Sequence, residues 1–353
     1  MLLSIIIPAY NVEKYIAECL ESCLSQIGES RPSGNGRSVL DESDVEIIVV
    51  DDGSTDSTPD ILADYAAKHS CIRLFHQKNQ GQSVARNLAI EAAQGDYIYM
   101  VDSDDQMLKP ETEEESVLPI SLMREARFDI IGLQVWYQPE FGERRPWSHQ
   151  MEHWPFGQEY SSAADFVTSH NIEGLVYGYV FRRQIFVDHP ELRFTPGIYH
   201  QDEELIFKIF TLAGRTIYQR GYSYLYFEHT GSSINTRTAQ RKRKLMDDYL
   251  VILHNLTAWR DRFGTTDERT TRLHCVMHYK LSYLAMDMLR KLIRDNYDHD
   301  YILMFIHEMQ SMNLYPLPYI REWKYLIMKM LTFHPALVSW WAKHQALNRK
   351  IGF

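Results

Sequence analysis

Gly95-Asp96-Tyr97-Ile98-Tyr99-Met100-Val101-Asp102-Ser103-Asp104-Asp105 is the stretch around which the rest of this 353-residue chain is organised. A Gly-Asp turn opens it. A β-branched and aromatic run, long enough for one buried strand, then carries the chain into an acidic cluster that no apolar core would accept. Asp102 and Asp104 stand two apart, so in extended chain both project to one side. Unpaired carboxylates that close repel and raise each other's pKa, and a divalent cation resolves the conflict. An isolated Asp-Ser-Asp is also compatible with a plain solvated turn, so the upstream chain has to decide.

Residues 3–7 form a continuous apolar run closed by Pro8, which suits a parallel strand covered on both faces. Asn11 is placed to cap a helix over 12–26, where Tyr15, Ile16, Cys19, Leu20, Cys23 and Leu24 recur at helical spacing. A second strand at 45–50 runs into Asp51-Asp52-Gly53-Ser54-Thr55-Asp56, and Ser57 or Thr58 is the expected cap of the next helix, with Pro59 in its first turn. An acidic pair between a strand end and a helix start is where open α/β sheets bind ligands. A third strand at 72–76, a helix at 82–94 and the strand at 97–101 complete three strand and helix alternations. The fold class this predicts is α/β, a doubly wound, mostly parallel sheet.

Beyond Asp105 the pattern loosens. A helix is expected over 110–126 and a strand over 129–135, followed by a turn-rich segment with Trp136, Trp147, Trp154 and Phe156 that suits a pocket wall. Further strands are expected at 174–181 and, as a pair, within 218–227. A helix with acids in its first turn begins near Gln201. From about 238 only helical spacing remains, over 245–263, 272–294 and 301–312. We place a boundary at 236, with a first domain of 1–236 divided into 1–105 and 106–236, and a helical region of 237–353. Charge changes sign there: about 18 Lys and Arg face about 36 Asp and Glu before the boundary, and about 19 face about 11 after it.

The formal net charge of −10 argues against a nucleic-acid partner, while 45% hydrophobic and 24% charged residues describe a soluble globular chain. Cys19, Cys23, Cys71 and Cys275 form no CxxC pair and read as core residues of a protein kept in a reducing compartment. The N-terminus lacks a basic region and a cleavage site, so it reads as a strand and not a signal. Residues 28–44, rich in Gly and Ser, read as a surface loop. Its Gly34-Asn35-Gly36 lacks the third glycine and the preceding strand of a dinucleotide fingerprint.

Four pieces in one order, Ser4-Ile5-Ile6-Ile7-Pro8-Ala9-Tyr10-Asn11, Val50 through Asp56, Asn79-Gln80-Gly81 with Ala85-Arg86-Asn87, and Gly95 through Asp105, resemble the family 2 glycosyltransferases, inverting enzymes of the GT-A fold. The resemblance implies that Pro8, Tyr10 and Asn11 pack on the nucleotide of a nucleotide-sugar donor, UDP by family habit. It implies that Asp52 contacts the base and that Asn79, Gly81 and Arg86 lie near base and ribose. In the Asp-x-Asp element, Asp104 is the direct ligand of a Mn²⁺ or Mg²⁺ ion, Asp102 holds ribose or metal, and Ser103 lies between them at the donor. The catalytic base falls on Asp202, with Glu203 as its rival. The family's Glu-Asp pair here begins with Gln201, which bonds an acceptor but cannot ionise. His229 either contacts the pyrophosphate or completes the metal shell. The implied partners are a nucleotide sugar, a glycan or lipid-linked glycan acceptor of surface polysaccharide assembly, and the inner membrane surface from the cytoplasmic side.

Two other functions use the same sheet. A sugar-nucleotide nucleotidyltransferase needs a Gly-rich basic loop after the first strand, and Pro8-Ala9-Tyr10-Asn11-Val12-Glu13 is neither. A non-catalytic sugar-binding protein predicts loss of the acids, which are all present. In the tail, 330–342 is an uncharged run too short to span a bilayer and interrupted by Pro335. With Trp323, Trp340, Trp341 and flanking lysines, it reads either as a segment lying on a membrane surface or as aromatics that dock the helices on the first domain while the cations face water.

Overall fold

The computed structural model describes residues 1–28, 40–108, 118–148, 154–170, 172, 174–229, 238–295 and 297–315. The chain forms two compact units, residues 1–197 with 201–236, and residues 198–200 with 237 onward.

The first unit opens with the alternation β1 (Leu3–Ala9), α1 (Ile16–Leu24), β2 (Val45–Asp51), α2 (Thr58–Lys68), β3 (Ile72–His76), α3 (Gln82–Ala92) and β4 (Tyr97–Met100). Every residue of β1, β2 and β4 is buried, as expected of strands covered on both faces. There follow β5 (Gln106–Met107), α4 (Ile120–Glu125), β6 (Ile130–Gln138), β7 (Arg145–Pro146), β8 (Glu159–Tyr160), α5 (Ala163–Ser169), β9 (Tyr179–Arg182), α6 (Gln184–Asp188), α7 (Gln201–Leu212) and β10 (Thr216–Phe227). The sheet runs β3-β2-β1-β4-β9-β6-β10-β5, with β7 on β6 and β8 on β10. The first four strands are parallel, β9 is antiparallel to both β4 and β6, and β6 and β10 are again parallel.

Gly95 is where β4 can approach β1 so closely. A Cβ there would lie 2.6 Å from the Leu3 carbonyl carbon and the Ser4 nitrogen, and the Gly95 amide donates instead to the Ser4 hydroxyl at 2.9 Å.

Several expectations require correction. Pro8 does not close β1 but pairs in register with Val50. Pairing with β4 ends at Ile6 and Met100, and the Ala9 carbonyl accepts from Asp52 on the β2 side, so alternation puts the missing proline donor where β4 has already ended. Of 174–181 only its end is strand, since Val176–Gly178 is a 3₁₀ turn. The segment 218–227 lies within one strand with two register shifts, not a pair. Trp136 belongs to regular sheet, and Trp154 packs in the core against Phe166 and Tyr218 with centroids 5.4 and 4.2 Å away. Three cysteines are buried free thiols, but Cys275 is exposed.

The second unit contains α8 (Ala239–Asp261), α9 (Glu268–Arg294) and α10 (His299–Ser311). Each has a side-chain cap: Thr238 accepts from Arg241 N–H, Asp267 and Thr270 form a reciprocal capping box, and Asp298 accepts from Tyr301 N–H. Met246, Tyr249, Leu253 and Leu256 bury one stripe of α8. The Tyr301 hydroxyl bonds Asp247 at 2.6 Å, and His200 stacks on Tyr249 at 4.8 Å. Among the described residues no helix is long and apolar enough to cross a membrane. The tail aromatics at 323–341 and most of the 28–44 loop lie outside the described residues, although Ile27 and Leu40 at its ends are bridged.

Candidate active site

The loops after β1 and β2 are stapled together side chain to backbone. Asn11, at φ +51°, does not cap α1 as expected, because its side-chain Oδ1 accepts from Thr55 N–H at 2.8 Å while its backbone N–H donates to Ser54 Oγ at 3.0 Å. Val12 N–H donates to Thr58 Oγ1, Glu13 N–H to Asp56, and Ser57 N–H back to Glu13. Asp56, not Ser57 or Thr58, receives the first free amide of α2, from Thr58 at 3.0 Å. Tyr10 stands 47% exposed on this edge.

Asp52 is buried beneath the β3–α3 loop. Its Oδ1 accepts from Gln77 Nε2 at 2.6 Å and Gln80 N–H at 2.8 Å, and its Oδ2 accepts from Gly81 N–H at 2.8 Å. A carboxylate offers about four acceptor positions, so one remains for a ligand. Asn79 is exposed in the loop that Asp52 organises.

Asp102 is a hub. One oxygen is ion-paired with Arg86, a guanidinium 3% exposed that lies 5.1 Å from the Phe194 ring, and receives Gln82 Nε2 at 3.4 Å. The other end of Gln82 accepts from Gln201 Nε2 at 3.2 Å, which ties the acidic turn to the start of α7. The Asp102 amide donates to the Tyr224 hydroxyl, and that hydroxyl donates to Asp105 at 2.7 Å. Asp105 also accepts from Phe227 N–H at 2.8 Å, so the end of β10 is fixed to the acidic turn. Burial, then the charges of Asp104 and Asp102, push the Asp105 carboxyl far above the usual range.

That fixation delivers His229, whose Nε2 lies 2.8 Å from Asp104 Oδ2 and whose ring lies tilted against Tyr15 with centroids 4.4 Å apart. Burial and the Asp102 charge raise the Asp104 pKa, and His229 opposes the rise. Ser103 is buried between the two acids.

The three acids at the start of α7 part ways. Asp202 is pushed up to about 6 by burial, with Arg86 pulling down and Asp102 adding to the rise. Glu203 packs its stem on Gly174, where a Cβ would meet the Glu203 Cα at 2.5 Å. Glu204 is buried and paired with Lys208 and Thr195.

The fold therefore brings together Arg86, Asp102, Ser103, Asp104, Gln201, Asp202 and His229, while Pro8, Tyr10, Asn11, Asp52, Asn79 and Gly81 gather at the ends of β1 to β3. Sequence reasoning missed Gln82, Asp105, Tyr224 and Tyr177, whose ring stacks on Tyr224 with centroids 4.5 Å apart. Asp105 alone stood in a quoted motif. The Asn87 of the third piece turns out to be structural, exchanging two hydrogen bonds of 2.9 Å with the Phe194 backbone.

A parallel nucleotide-type sheet continued past an inverted strand, with paired acids at the turn after β4 and a half-buried acid opening a helix, defines a GT-A protein. A sequence profile described as Glycosyl transferase family 2 matches residues 4–187, more than half of the chain. The chain belongs to that family. It is 30% identical over 235 residues to an uncharacterized glycosyltransferase of Escherichia coli, YibD, covering 65% of this chain and 62% of that one. It is 46% identical over 104 residues to an uncharacterized glycosyltransferase of Bacillus subtilis, EpsJ, covering 30% of this chain and 26% of that one. Less than two thirds of either relative is thus spanned. The fold is similar to that of S. aureus TarS 1-349 in complex with UDP-GlcNAc, with a TM-score of 0.70 at 17% identity, over 99% of this chain and 92% of that one.

Proposed function

We propose that this chain is an inverting, metal-dependent glycosyltransferase that moves a sugar from a UDP-sugar to a hydroxyl of a glycan or lipid-linked glycan in bacterial surface polysaccharide assembly. Family membership supports the reaction class. One observation carries the mechanism: Asp202, with its pKa raised to about 6, opens α7 under the charges of Arg86 and Asp102. A carboxylate poised near neutral pH is suited to take a proton.

In this proposal Asp202 removes the acceptor hydroxyl proton as the oxygen bonds to the anomeric carbon on the face opposite the departing phosphate. The bond from that carbon to the diphosphate breaks with its electrons, giving free nucleoside diphosphate and inverted configuration. Gln201 and Glu203 orient the acceptor. Asp52 offers its remaining acceptor position to an N–H of the base, within a cradle of Pro8, Tyr10, Asn11, Asn79 and Gly81. Arg86 holds Asp102 turned toward the sugar and ribose through their ion pair, with Ser103 behind it.

A Mn²⁺ or Mg²⁺ ion fits Asp104 and His229. One hard carboxylate oxygen and one imidazole nitrogen, held 2.8 Å apart, would be the protein's donors to such an ion. Among the described residues no group of three or more His, Cys, Asp or Glu is arranged around a metal position, so the protein would supply a minority of the ligands. When bound, such an ion neutralises the charge that develops on the diphosphate.

The test is to incubate the full chain with UDP-GlcNAc and other UDP-sugars, Mn²⁺ and glycan acceptors, and to follow UDP release and the anomeric configuration of the product. UDP release with inversion is expected. Pyrophosphate release from a nucleoside triphosphate and a sugar phosphate would identify a nucleotidyltransferase, and binding without turnover a non-catalytic protein.

A further inference from the structure

Side chains of β6 and β10, the turn at Val176–Gly178 and the residue after β7 form an unbroken row of aromatic rings that starts at the acidic turn and ends at the surface. Tyr224, fully buried, donates to Asp105 and accepts from the Asp102 amide. Tyr177 stacks on Tyr224 at 4.5 Å with planes 7° apart, and Tyr226 follows at 6.1 Å. Trp147 meets Tyr226 edge-on at 4.9 Å, and Tyr137 stacks on Tyr226 at 5.9 Å. Strand register explains the line, since Tyr226 of β10 is opposite Tyr137 of β6, which is opposite Arg145 of β7.

Burial changes along the row. Tyr224 and Tyr177 are buried, whereas Tyr226, Tyr137 and Trp147 are each partly exposed. The inner end lies at the reaction site: besides burial, the charges of Asp105, Asp102 and Asp202 all raise the pKa of the Tyr177 hydroxyl. The outer end is polar at its rim. Glu228, next to His229, accepts from the Tyr137 hydroxyl, and the Arg145 guanidinium lies 4.9 Å from the Tyr137 ring centroid.

Rings required only for a core would be covered, and a nucleotide base has its place elsewhere, at the ends of β1 to β3 around Asp52. Partly exposed aromatic rings rimmed by one carboxylate and one guanidinium match a sugar ring, whose C–H face is apolar and whose edge is a rim of hydroxyls. Glu228 also disfavours a phosphate at this end. We infer that Trp147, Tyr226 and Tyr137, with Glu228 and Arg145, form a subsite for a pyranose ring of the acceptor. The ring packs on Trp147 and Tyr226, and its hydroxyls bond Glu228 and Arg145. This deepens the glycosyl-transfer proposal and rests on it for the word acceptor, but binding of a pyranose can be tested without turnover.

The experiment uses the full chain and saturation-transfer NMR with methyl and octyl pyranosides of glucose, galactose, mannose and N-acetylglucosamine, alongside calorimetry with UDP and Mn²⁺. At least one pyranoside should receive saturation, strongest at its ring C–H protons. Trp147→Ala and Tyr226→Ala should each reduce that signal at least about fivefold, Trp147→Phe should retain most of it, and UDP affinity should stay at the parent value. Should the alanine variants melt far below the parent, Trp147→Phe and Glu228→Gln decide, the first retaining the signal and the second weakening it several-fold. An octyl glycoside signal above the methyl one marks a lipid-linked source, and equal signals a free glycan; both support the subsite. A parent chain that saturates no pyranoside, or well-folded variants that leave the signal unchanged, overturns it. Failure of the glycosyltransferase proposal shows itself separately, as a parent chain that neither binds nor releases UDP.

Discussion

At Asp202 a single carboxylate carries three environments at once: burial, a buried guanidinium and a neighbouring acid, with burial the largest. A base must be ionised to accept a proton, so a folded pKa near 6 places the rising limb of kcat/KM for transfer near pH 6, with a plateau above it. A profile flat from pH 4.5 upward would mean that an ordinary carboxylate, or none, is the base. Asp202→Asn should lower transfer at least about 100-fold with UDP affinity nearly intact; if Glu203→Gln is the inactive variant instead, the roles exchange. Asp104→Asn keeps the shape but weakens a ligand, and should remove the metal-dependent part of UDP binding in calorimetry; unchanged metal dependence would sink that assignment. The acids were legible in the sequence because four short motifs stand in one order; Asp-Ser-Asp alone would also suit a solvated turn. Gln82, Tyr177 and Tyr224 were not, because uncharged side chains far apart in sequence acquire meaning only when α3, the 3₁₀ turn at Val176–Gly178 and β10 are brought beside the same acids. Asp52 shows the other limit: its position was legible, but its three bonds to Gln77, Gln80 and Gly81 depend on a loop conformation no spacing encodes.

Elements were readable where one local signal dominates. The apolar, β-branched runs of β1 to β4 define themselves, and β3 occupies the residues its pattern marks. Element ends failed where a side chain chose a distant partner. Asn11 left the helix it was placed to cap in order to bond Thr55, and α1 starts at Ile16 without a side-chain cap. The same stapling makes Gly53 sensitive. At φ +74°, a Cβ there would lie 2.8 Å from Asn79 N, so Gly53→Ala should cost about 1–3 kcal/mol and lower the melting temperature by several degrees. An unchanged melting temperature would show that the loop relaxes freely. In the helical unit, His200 is held neutral, with a folded pKa near 4 set by burial and by Lys291 against the pull of Asp248. Since that lies below the unfolded value, its contribution is present above about pH 6.5 and is lost as pH falls toward 4, roughly 2 kcal/mol by pH 4.5. Replacing it by Gln should flatten the difference in stability between pH 7 and pH 4.5; an identical slope in both proteins would assign acid sensitivity to other groups.

At the scale of the whole molecule, charge is the property that only the complete chain displays. The net −10 combines an acidic front, about 18 cations against 36 anions, with a basic back, about 19 against 11. An acidic unit is repelled by an anionic bilayer, and the lipid-linked acceptor proposed above would present its sugar there, which would give the basic half work that a soluble acceptor would not require. The residues best suited to it lie past 315, outside the described residues, and are argued from sequence. Trp323, Trp340 and Trp341 prefer the headgroup boundary, and Lys324, Lys329, Lys343, Arg349 and Lys350 supply charge. The uncharged run from 330 to 342 is 13 residues against the roughly 20 that a spanning helix needs, and Pro335 interrupts it, so it would lie on the surface and not cross. We therefore predict that the full chain floats with anionic vesicles at low salt, that raising the salt to about 0.5 M releases most of it because screening shortens the reach of the charges, and that Trp340→Ala with Trp341→Ala weakens flotation several-fold. Ordinary packing of the tail against the helices predicts a different pattern: no flotation of the full chain, or equal flotation when everything after about 320 is removed. Either result would return the acceptor to solution and leave the basic half without a membrane role.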